Sequence, residues 1–280
     1  MTVVVVTDSA AGLSADVVGE LGIEVVPLHV LVGDREIREG VDPVEIDYST
    51  DSVTTSAASP GELREVYERA LSRSDGDGVV AVHLSRTLSA TWESGRQAVR
   101  DMGAEDRVRL VDSLGAGLAT GLPVLAAARR ARAGEALDAV YERAVTAAAR
   151  ARTFILVNRT EQLRKGGRLS SAAAFFGSEL VTKPLLQLVE GKLELREKVR
   201  TRSRAYAKLV AAAVEAAGRD GAALAVQHLG AADAAETIAA QLREQVPEVE
   251  ELYVGEFGPT LGVHLGVGAL GVLVVPGGCS

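Results

Sequence analysis

Short apolar runs alternate with helical stretches through the first half of this chain, and that alternation most constrains its fold. Val3–Val6 is a run of four valines followed by the polar Thr7-Asp8-Ser9, the pattern of a buried parallel strand that ends in a loop. The apolar runs Val79–Leu84 and Val108–Val111 also end in hydroxyl-bearing loops. Strands that alternate with helices predict a parallel sheet with right-handed crossovers, whose carboxyl-end loops collect ligands.

Helix signals fill the gaps between these runs. Ser14 is expected to cap a helix near residues 15–21, and Ser59 before Pro60 opens a helix to about Ser72. Further helices are predicted over residues 89–102, 117–133 and 135–150. Pro27 interrupts the apolar segment Val25–Val32, which predicts a strand at a sheet edge. The polar stretch between residues 33 and 59 predicts a hairpin and an excursion outside the core.

The second half mixes hairpin and crossover signals. A strand is predicted at Phe154–Val157, and the turn Glu190-Gly191-Lys192 joins two strand-like segments. Helices are predicted over 202–217 and 232–245, with strands at 223–229, 251–257 and 272–275. The expected fold is α/β with two domains. Residues 1–151 form a three-layer parallel-sheet domain, and residues 152–280 form a mixed-sheet domain with helices on one side.

Composition excludes several classes of function. The net charge of −8 argues against a nucleic-acid partner, because phosphate backbones select basic surfaces. The one cysteine, Cys279, allows neither an intrachain disulfide nor a cysteine-based metal cage. The sequence shows no targeting segment and no apolar stretch long enough to span a bilayer. We therefore expect a cytoplasmic protein without stable membrane insertion and without a metal or cofactor.

Four polar clusters each follow an apolar run, at residues 54–56, 88–91, 165–168 and 258–264. Their hydroxyl, guanidinium and imidazole groups are those that would hold a carboxylate or phosphate. No acid–base pair stands beside them in the sequence. Each cluster also has a structural explanation, since hydroxyls cap helices, charged turns are often solvated, and an isolated histidine is often structural. The candidate ligand-binding residues are Thr55, Ser56, Ser89, Arg168 and His264.

Known catalytic signatures are absent from the sequence. A formal G-x-G-x-x-G at Gly266, Gly268 and Gly271 leaves only nine residues for a strand–helix–strand unit, so a dinucleotide site is rejected. There is no Walker A motif, no G-x-S-x-G elbow and no H-E-x-x-H. The other histidines stand without a cluster and are interpreted as structural: His29, His83 and His228.

Six short motifs nevertheless occur in a recognisable order. They are Thr7-Asp8-Ser9, Thr55-Ser56-x-x-Ser59-Pro60, Leu88-Ser89-x-Thr91, Asp112-Ser113, Lys165-Gly166-Gly167-Arg168 and Gly258-Pro259-x-x-Gly262-x-His264-x-Gly266-x-Gly268. Together they resemble the motif series of the DegV family, the FakB-type bacterial fatty-acid-binding proteins. The resemblance spans essentially the whole chain.

This resemblance implies a protein that binds one long-chain fatty acid in an apolar tunnel. Such a protein presents the carboxylate to a separate fatty acid kinase, which makes the acyl-phosphate for phospholipid synthesis, and it is not itself an enzyme. By motif match, Thr55 and Ser89 would hydrogen-bond the carboxylate, with Arg168 and His264 alongside. Ser56, in the same motif as Thr55, is included among the ligand-binding residues. The sequence departs from the family pattern at Ala57-Ala58, Ala90, Trp92 and Val267.

Two other functions remain open on the sequence. The first is an enzyme acting on a small phosphorylated or carboxylated substrate, with His264 as base and Arg168 as anion clamp. The second is a regulatory module whose acyl ligand reports lipid supply. A long apolar cavity would favour fatty-acid binding, and a small polar pocket would favour the enzyme.

Overall fold

The computed structural model describes residues 3–43, 45–48, 53–158, 160–169 and 183–279. Within these residues the chain forms two large β-sheets and one small sheet, with helices packed against them. The strands are β1 (Val4–Asp8), β2 (Glu24–Val26), β3 (His29–Val32), β4 (Arg35–Arg38), β5 (Val53–Ser56), β6 (Val79–His83), β7 (Val108–Asp112), β8 (Arg152–Leu156), β9 (Lys183–Val189), β10 (Lys192–Val199), β11 (Ala222–His228), β12 (Val249–Glu256) and β13 (Leu270–Pro276).

All seven predicted helices are present, with bounds shifted by two residues at most. A short 3-10 helix at Ser9–Ala11 is an addition to the prediction. The α-helices are α1 (Ala15–Leu21), α2 (Pro60–Arg73), α3 (Thr91–Asp101), α4 (Leu118–Arg132), α5 (Leu137–Arg150), α6 (Glu161–Lys165), α7 (Arg202–Ala217), α8 (Ala232–Gln245) and α9 (Pro259–Leu265).

The first sheet has the strand order β2-β1-β6-β7 and is parallel throughout. Successive side chains of a strand point to opposite faces, so the four valines at the start of the chain, Val3–Val6, supply two cores. Val3 and Val5 pack with α4 and α5 on one side, and Val4 and Val6 pack with α2 and α3 on the other. The predicted three-layer arrangement is confirmed.

The second sheet is mixed, as predicted, with the order β10-β9-β8-β13-β11-β12. Only the β11–β12 pair is parallel within the described residues. Helices α7 and α8 cover one face. The prediction of helices on one side only is wrong, because the opposite face is also covered. There Ala223, Leu273 and Val275 pack against α4, and Ile155 and Leu186 pack in a cluster with residues of α6 and α9.

The third sheet is small and antiparallel, with the order β4-β3-β5. It shows that the prediction of one edge strand over Val25–Val32 is wrong. Val25–Val32 is not one strand, because Pro27 separates β2 of the first sheet from β3 of the small one. The polar stretch after it is not outside the core either. Val30 and Ile37 are buried against Val263 of α9. This contact brings β5 next to α9.

Two short helices, α6 and α9, were not predicted. Glycines are dense around α9, which lowers helix propensity, but Pro259 at its first position has a φ preset for a helix. The division of the chain at residue 151 stays a prediction. Within the described residues, no helix combines the length and the apolarity needed to span a bilayer.

Helix α4 lies between the two large sheets. Its residues from Leu118 to Ala128 are all buried, which explains the many alanines: small side chains let both sheets approach. Its N-cap is Gly117, which has no side chain. The free N–H of Leu118 donates instead to Oε1 of Gln227, at 2.7 Å, from β11 in the second half.

Replacing a helical glycine by alanine should have opposite effects in α4 and α1. A Cβ on Gly121 would stand 2.6 Å from the carbonyl oxygen of Ala11, whereas a Cβ on the exposed Gly19 meets nothing within 4 Å. We expect Gly121→Ala to lower the free energy of unfolding by about 1–3 kcal/mol through overpacking. Gly19→Ala should raise it by about 0.5–1 kcal/mol, because alanine favours the helix.

Urea denaturation of the two variants and the parent protein measures both effects. A Gly121→Ala variant as stable as the parent would show that α4 is less tightly enclosed than described.

Candidate functional site

One cavity of about 340 Å³ lies where the small sheet, the first sheet's loops and the second sheet meet. All five residues proposed from the sequence line it: Thr55, Ser56, Ser89, Arg168 and His264. Most of the remaining wall is apolar, so the polar groups occupy a minor part of a hydrophobic surface. The apolar residues are Leu28, Ala57, Leu84, Leu88, Ala90, Ala116, Ile155, Leu163, Leu188, Leu193, Phe257, Leu261 and Leu265.

Strand β5 and helix α9 bring a hydroxyl and an imidazole together across the cavity. Thr55 Oγ1 lies 2.8 Å from Nε2 of His264, although the residues are 209 positions apart. Pairing of β5 with β3 places Thr55 opposite Val30, which itself packs on α9. Ser56, the next residue of β5, is exposed, and its Oγ donates to the carbonyl of Ala57 at 3.3 Å.

Arg168 joins the turn after α6 to the loop before α3. Its Nε donates to the carbonyl of Leu88 at 3.1 Å, and its Nη1 donates to the carbonyl of Gly166. Gly166 lies directly against the imidazole, because a Cβ there would be 3.0 Å from Nδ1 of His264. A glycine at this position therefore lets the guanidinium and the imidazole share one corner of the cavity.

Ser89 stands just before α3, where its hydroxyl satisfies the start of the helix. The N–H of Thr91 donates to Ser89 Oγ at 3.3 Å, and the two hydroxyls are 2.9 Å apart. The loop that carries Ser89 is fixed at its beginning, because the N–H of Leu84 donates to Oδ2 of the buried Asp8 at 3.0 Å. Ser89 is not the N-cap of α3, because that position is Ala90, so its hydroxyl accepts a local N–H next to the helix and lines the cavity as well.

The imidazole of His264 is neutral near pH 7. Burial, and then the positive charge of Arg168, lower the pKa of His264 to about 4. The mouth of the cavity therefore carries the positive charge of one guanidinium beside an uncharged ring and hydroxyl groups. Such a corner can accept one anionic oxygen group through charge-assisted hydrogen bonds.

Two further residues of this region escaped the sequence analysis. Thr260 lines the cavity, and its hydroxyl donates to Oε2 of Glu39 at 2.8 Å. Glu39 is only 6% exposed, and burial raises its pKa despite hydrogen bonds from Ser9 and Thr260 that oppose the shift. The sequence offers no local signal for Glu39, because its partners lie 30 and 221 positions away.

The interpretation of three histidines as isolated is corrected by the structure. His83 is fully buried, with Nδ1 3.0 Å from Oδ2 of Asp8 and Nε2 2.7 Å from the hydroxyl of Tyr67. His29 lies between the carboxylates of Glu36 and Glu62, at 3.0 and 2.9 Å. His228 lies 3.6 Å from the carboxylate of Glu256. These clusters join segments far apart in the chain and lie outside the cavity lining.

The apolar tract that follows Arg168 in the sequence, including Phe175 and Phe176, lies outside the described residues.

The fold and the site together define a class of protein. It is an α/β protein with two large sheets and an apolar cavity, and one corner of that cavity carries hydroxyl, imidazole and guanidinium groups. The DegV family model, described as an uncharacterised protein of the DegV family, matches residues 2–277. The chain belongs to the DegV family.

Relatives match over nearly their full length. A DegV domain-containing protein of Mycobacterium tuberculosis is 43% identical, with 98% of this chain and 97% of the relative covered. The solved structure of a DegV family protein from Thermus thermophilus, described by its fatty-acid binding, superposes on this chain with a TM-score of 0.90 at 30% identity. The match covers 99% of this chain and 100% of the other. Bacillus subtilis DegV, a fatty-acid-binding protein, has a TM-score of 0.84 at 31% identity, with 98% and 99% covered.

Removal of the guanidinium tests the electrostatics of this corner. We expect Arg168→Met to raise the pKa of His264 above about 4, because the neighbouring positive charge is one of its two causes. The pKa should stay below the ordinary value of 6.5, because burial, the larger cause, remains. Arg164→Met, on the exposed side of α6, is the matched control and should leave the His264 pKa unchanged.

Titration of the imidazole signals by NMR measures the pKa in each variant. Equal values in the parent protein and in Arg168→Met would show that the two groups do not share a corner.

Proposed function

We propose that this protein binds one long-chain fatty acid, with the acyl chain in the apolar cavity and the carboxylate at the polar corner. One observation carries the proposal: hydroxyls, an imidazole and a guanidinium line the cavity, and no acidic side chain among the described residues does. An ionised carboxylate taken out of water is costly unless it is paired and hydrogen-bonded. This corner offers both.

The apolar wall suits the acyl chain. Burial contributes about 0.8 kcal/mol per methylene, so a chain of about sixteen carbons offers roughly 12 kcal/mol before association and ordering costs. The tail therefore supplies the affinity, and the polar corner chiefly has to compensate the carboxylate for lost water. DegV proteins of Thermus thermophilus and Bacillus subtilis, both similar to this chain over nearly its whole length, are described as binding fatty acids.

The head group would be held by groups that now contact one another. The Thr55 hydroxyl can turn from His264 Nε2 towards a carboxylate oxygen, and the Ser89 hydroxyl can donate while its lone pairs keep the N–H of Thr91. Arg168 is anchored to the Leu88 carbonyl on the same loop, so its charge stays near Ser89. Ser56, exposed beside Thr55, would lie at the edge of this contact.

A small-molecule enzyme that uses His264 as its base fits the same site less well. A general base works best when its pKa lies near the operating pH, and the His264 pKa is about 4. The mostly apolar wall also gives a small polar substrate few partners.

The proposal includes a partner, a fatty acid kinase, in the cytoplasm. In that reaction a carboxylate oxygen attacks the γ-phosphorus of ATP, an acyl-phosphate forms and ADP leaves. The chain has no Walker A sequence, so we assign nucleotide binding to the partner. The half-buried polar corner supports presentation of the carboxylate, since Arg168 and His264 are not sealed from the surface.

Fatty-acid binding is tested first by mass spectrometry of the protein extracted under denaturing conditions, where a co-purifying fatty acid is expected. Thr55→Val should weaken binding of added palmitate about three- to tenfold, the value of one hydrogen bond. Thr54→Val, one residue away and outside the cavity lining, is the matched control. A folded protein that neither carries nor takes up any fatty acid would contradict the proposal.

Head-group roles are tested in a reconstituted reaction with a fatty acid kinase. Arg168→Ala or His264→Ala should reduce acyl-phosphate formation more than palmitate binding, because the tail supplies most of the affinity. Arg164→Ala is the control of equal charge change. An equal loss of acyl-phosphate formation and of palmitate binding would mean that Arg168 and His264 only hold the ligand.

A further inference from the structure

A buried carboxylate from the first half of the chain meets the first turn of α9. Glu39 follows β4 directly, and its Oε1 accepts the N–H of Thr260 at 3.1 Å. Its Oε2 accepts the hydroxyl of Thr260 at 2.8 Å and that of Ser9 at 2.6 Å. Three donors thus converge on one side chain that is only 6% exposed.

Helix α9 has no cap of its own. Its N-cap residue, Gly258, lacks a side chain, so the N–H of Thr260 has no local acceptor. Glu39 takes the place of the missing cap. Gly258 is needed for this approach, because a Cβ there would overlap Oε1 of Glu39.

The same helix carries a large part of the candidate site. Leu261, His264 and Leu265 of α9 all line the cavity, and His264 contacts Thr55. Helix α9 has seven residues, and helices this short are not stable on their own, so contacts from outside must fix its position. The Glu39–Thr260 contact fixes its beginning, and the cavity lies along the helix from Thr260 to Leu265.

Ser9 connects this cap to the rest of the site. Its Oγ accepts the N–H of Leu28 at 2.9 Å while donating to Glu39. The neighbouring Asp8 holds the N–H of Leu84, at the start of the loop that carries Ser89. Asp8, the last residue of β1, and Ser9, the next residue, thus bind the start of the Ser89 loop and the carboxylate that caps α9.

We propose that Glu39 is a positioning residue of this site: by capping α9 it holds His264 against Thr55 at the mouth of the cavity. As far as ligand affinity is concerned, this inference rests on the proposed binding of a fatty acid. The placement of His264 itself can be measured in the ligand-free protein.

Glu39→Gln is the first test, because it keeps the size of the side chain and replaces one acceptor oxygen by a donor NH₂ that faces other donors. In the ligand-free variant we expect the imidazole NMR signals of His264 to shift. The His264 pKa should rise from about 4 as water reaches the loosened helix. Palmitate affinity should fall about tenfold, the value of a hydrogen bond to a charged group.

Three further variants separate positioning from general stability. Thr260→Val removes one donor and should reproduce the His264 shift, whereas Thr260→Ser keeps the hydroxyl and should restore the parent signals. This pair also serves if Glu39→Gln does not fold. Glu45→Gln makes the same charge change on an exposed residue of the same segment and should leave His264 unchanged.

A lower melting temperature with unchanged His264 signals in Glu39→Gln and Thr260→Val would overturn the proposal, since Glu39 would then be merely structural. Loss of palmitate affinity without any change at His264 would overturn it too. If His264 responds as expected but the parent protein binds no palmitate, the positioning role stands and the proposed function fails.

Discussion

Two helices that begin at a glycine take their caps from the opposite half of the chain, and the geometry around the cavity depends on these two contacts. Glu39 accepts the N–H of Thr260 at the start of α9, and Gln227 accepts the N–H of Leu118 at the start of α4. A buried donor left without a partner costs about 1–3 kcal/mol. Each half therefore supplies a cap that the other half lacks, and the walls of the cavity are fixed relative to one another.

The chemistry of the mouth follows from this arrangement. His264 and Arg168 lie in the second half, and Thr55 and Ser89 lie in the first, so the corner exists only when the halves are joined. A charged guanidinium beside a neutral imidazole presents one positive charge to the cavity. A monoanionic head group matches that charge, and a doubly charged phosphate would leave half of its charge unbalanced in apolar surroundings.

Much of the fold could be predicted from the sequence, because it depends on local patterns. The valine runs indicated the parallel sheet, and the helices Arg202–Ala217 and Ala232–Gln245 begin and end where they were expected. The ordered motifs led to five residues that line one cavity. Glu39 and the helix α9 were missed for one physical reason: the helix is held by a carboxylate 221 positions away, and glycine-rich sequence carries no local sign of it.

The position of helix α4 between the two large sheets has a consequence for how the protein unfolds. One layer of small side chains, including Ala119 and Ala126, belongs to the cores of both large sheets at once. A first half produced alone would expose this layer to water, and a second half alone would expose the sheet face that rests on it. We therefore expect the two sheets to unfold in a single cooperative event, with amide protons in the middle of α4 exchanging with solvent only when the whole molecule unfolds.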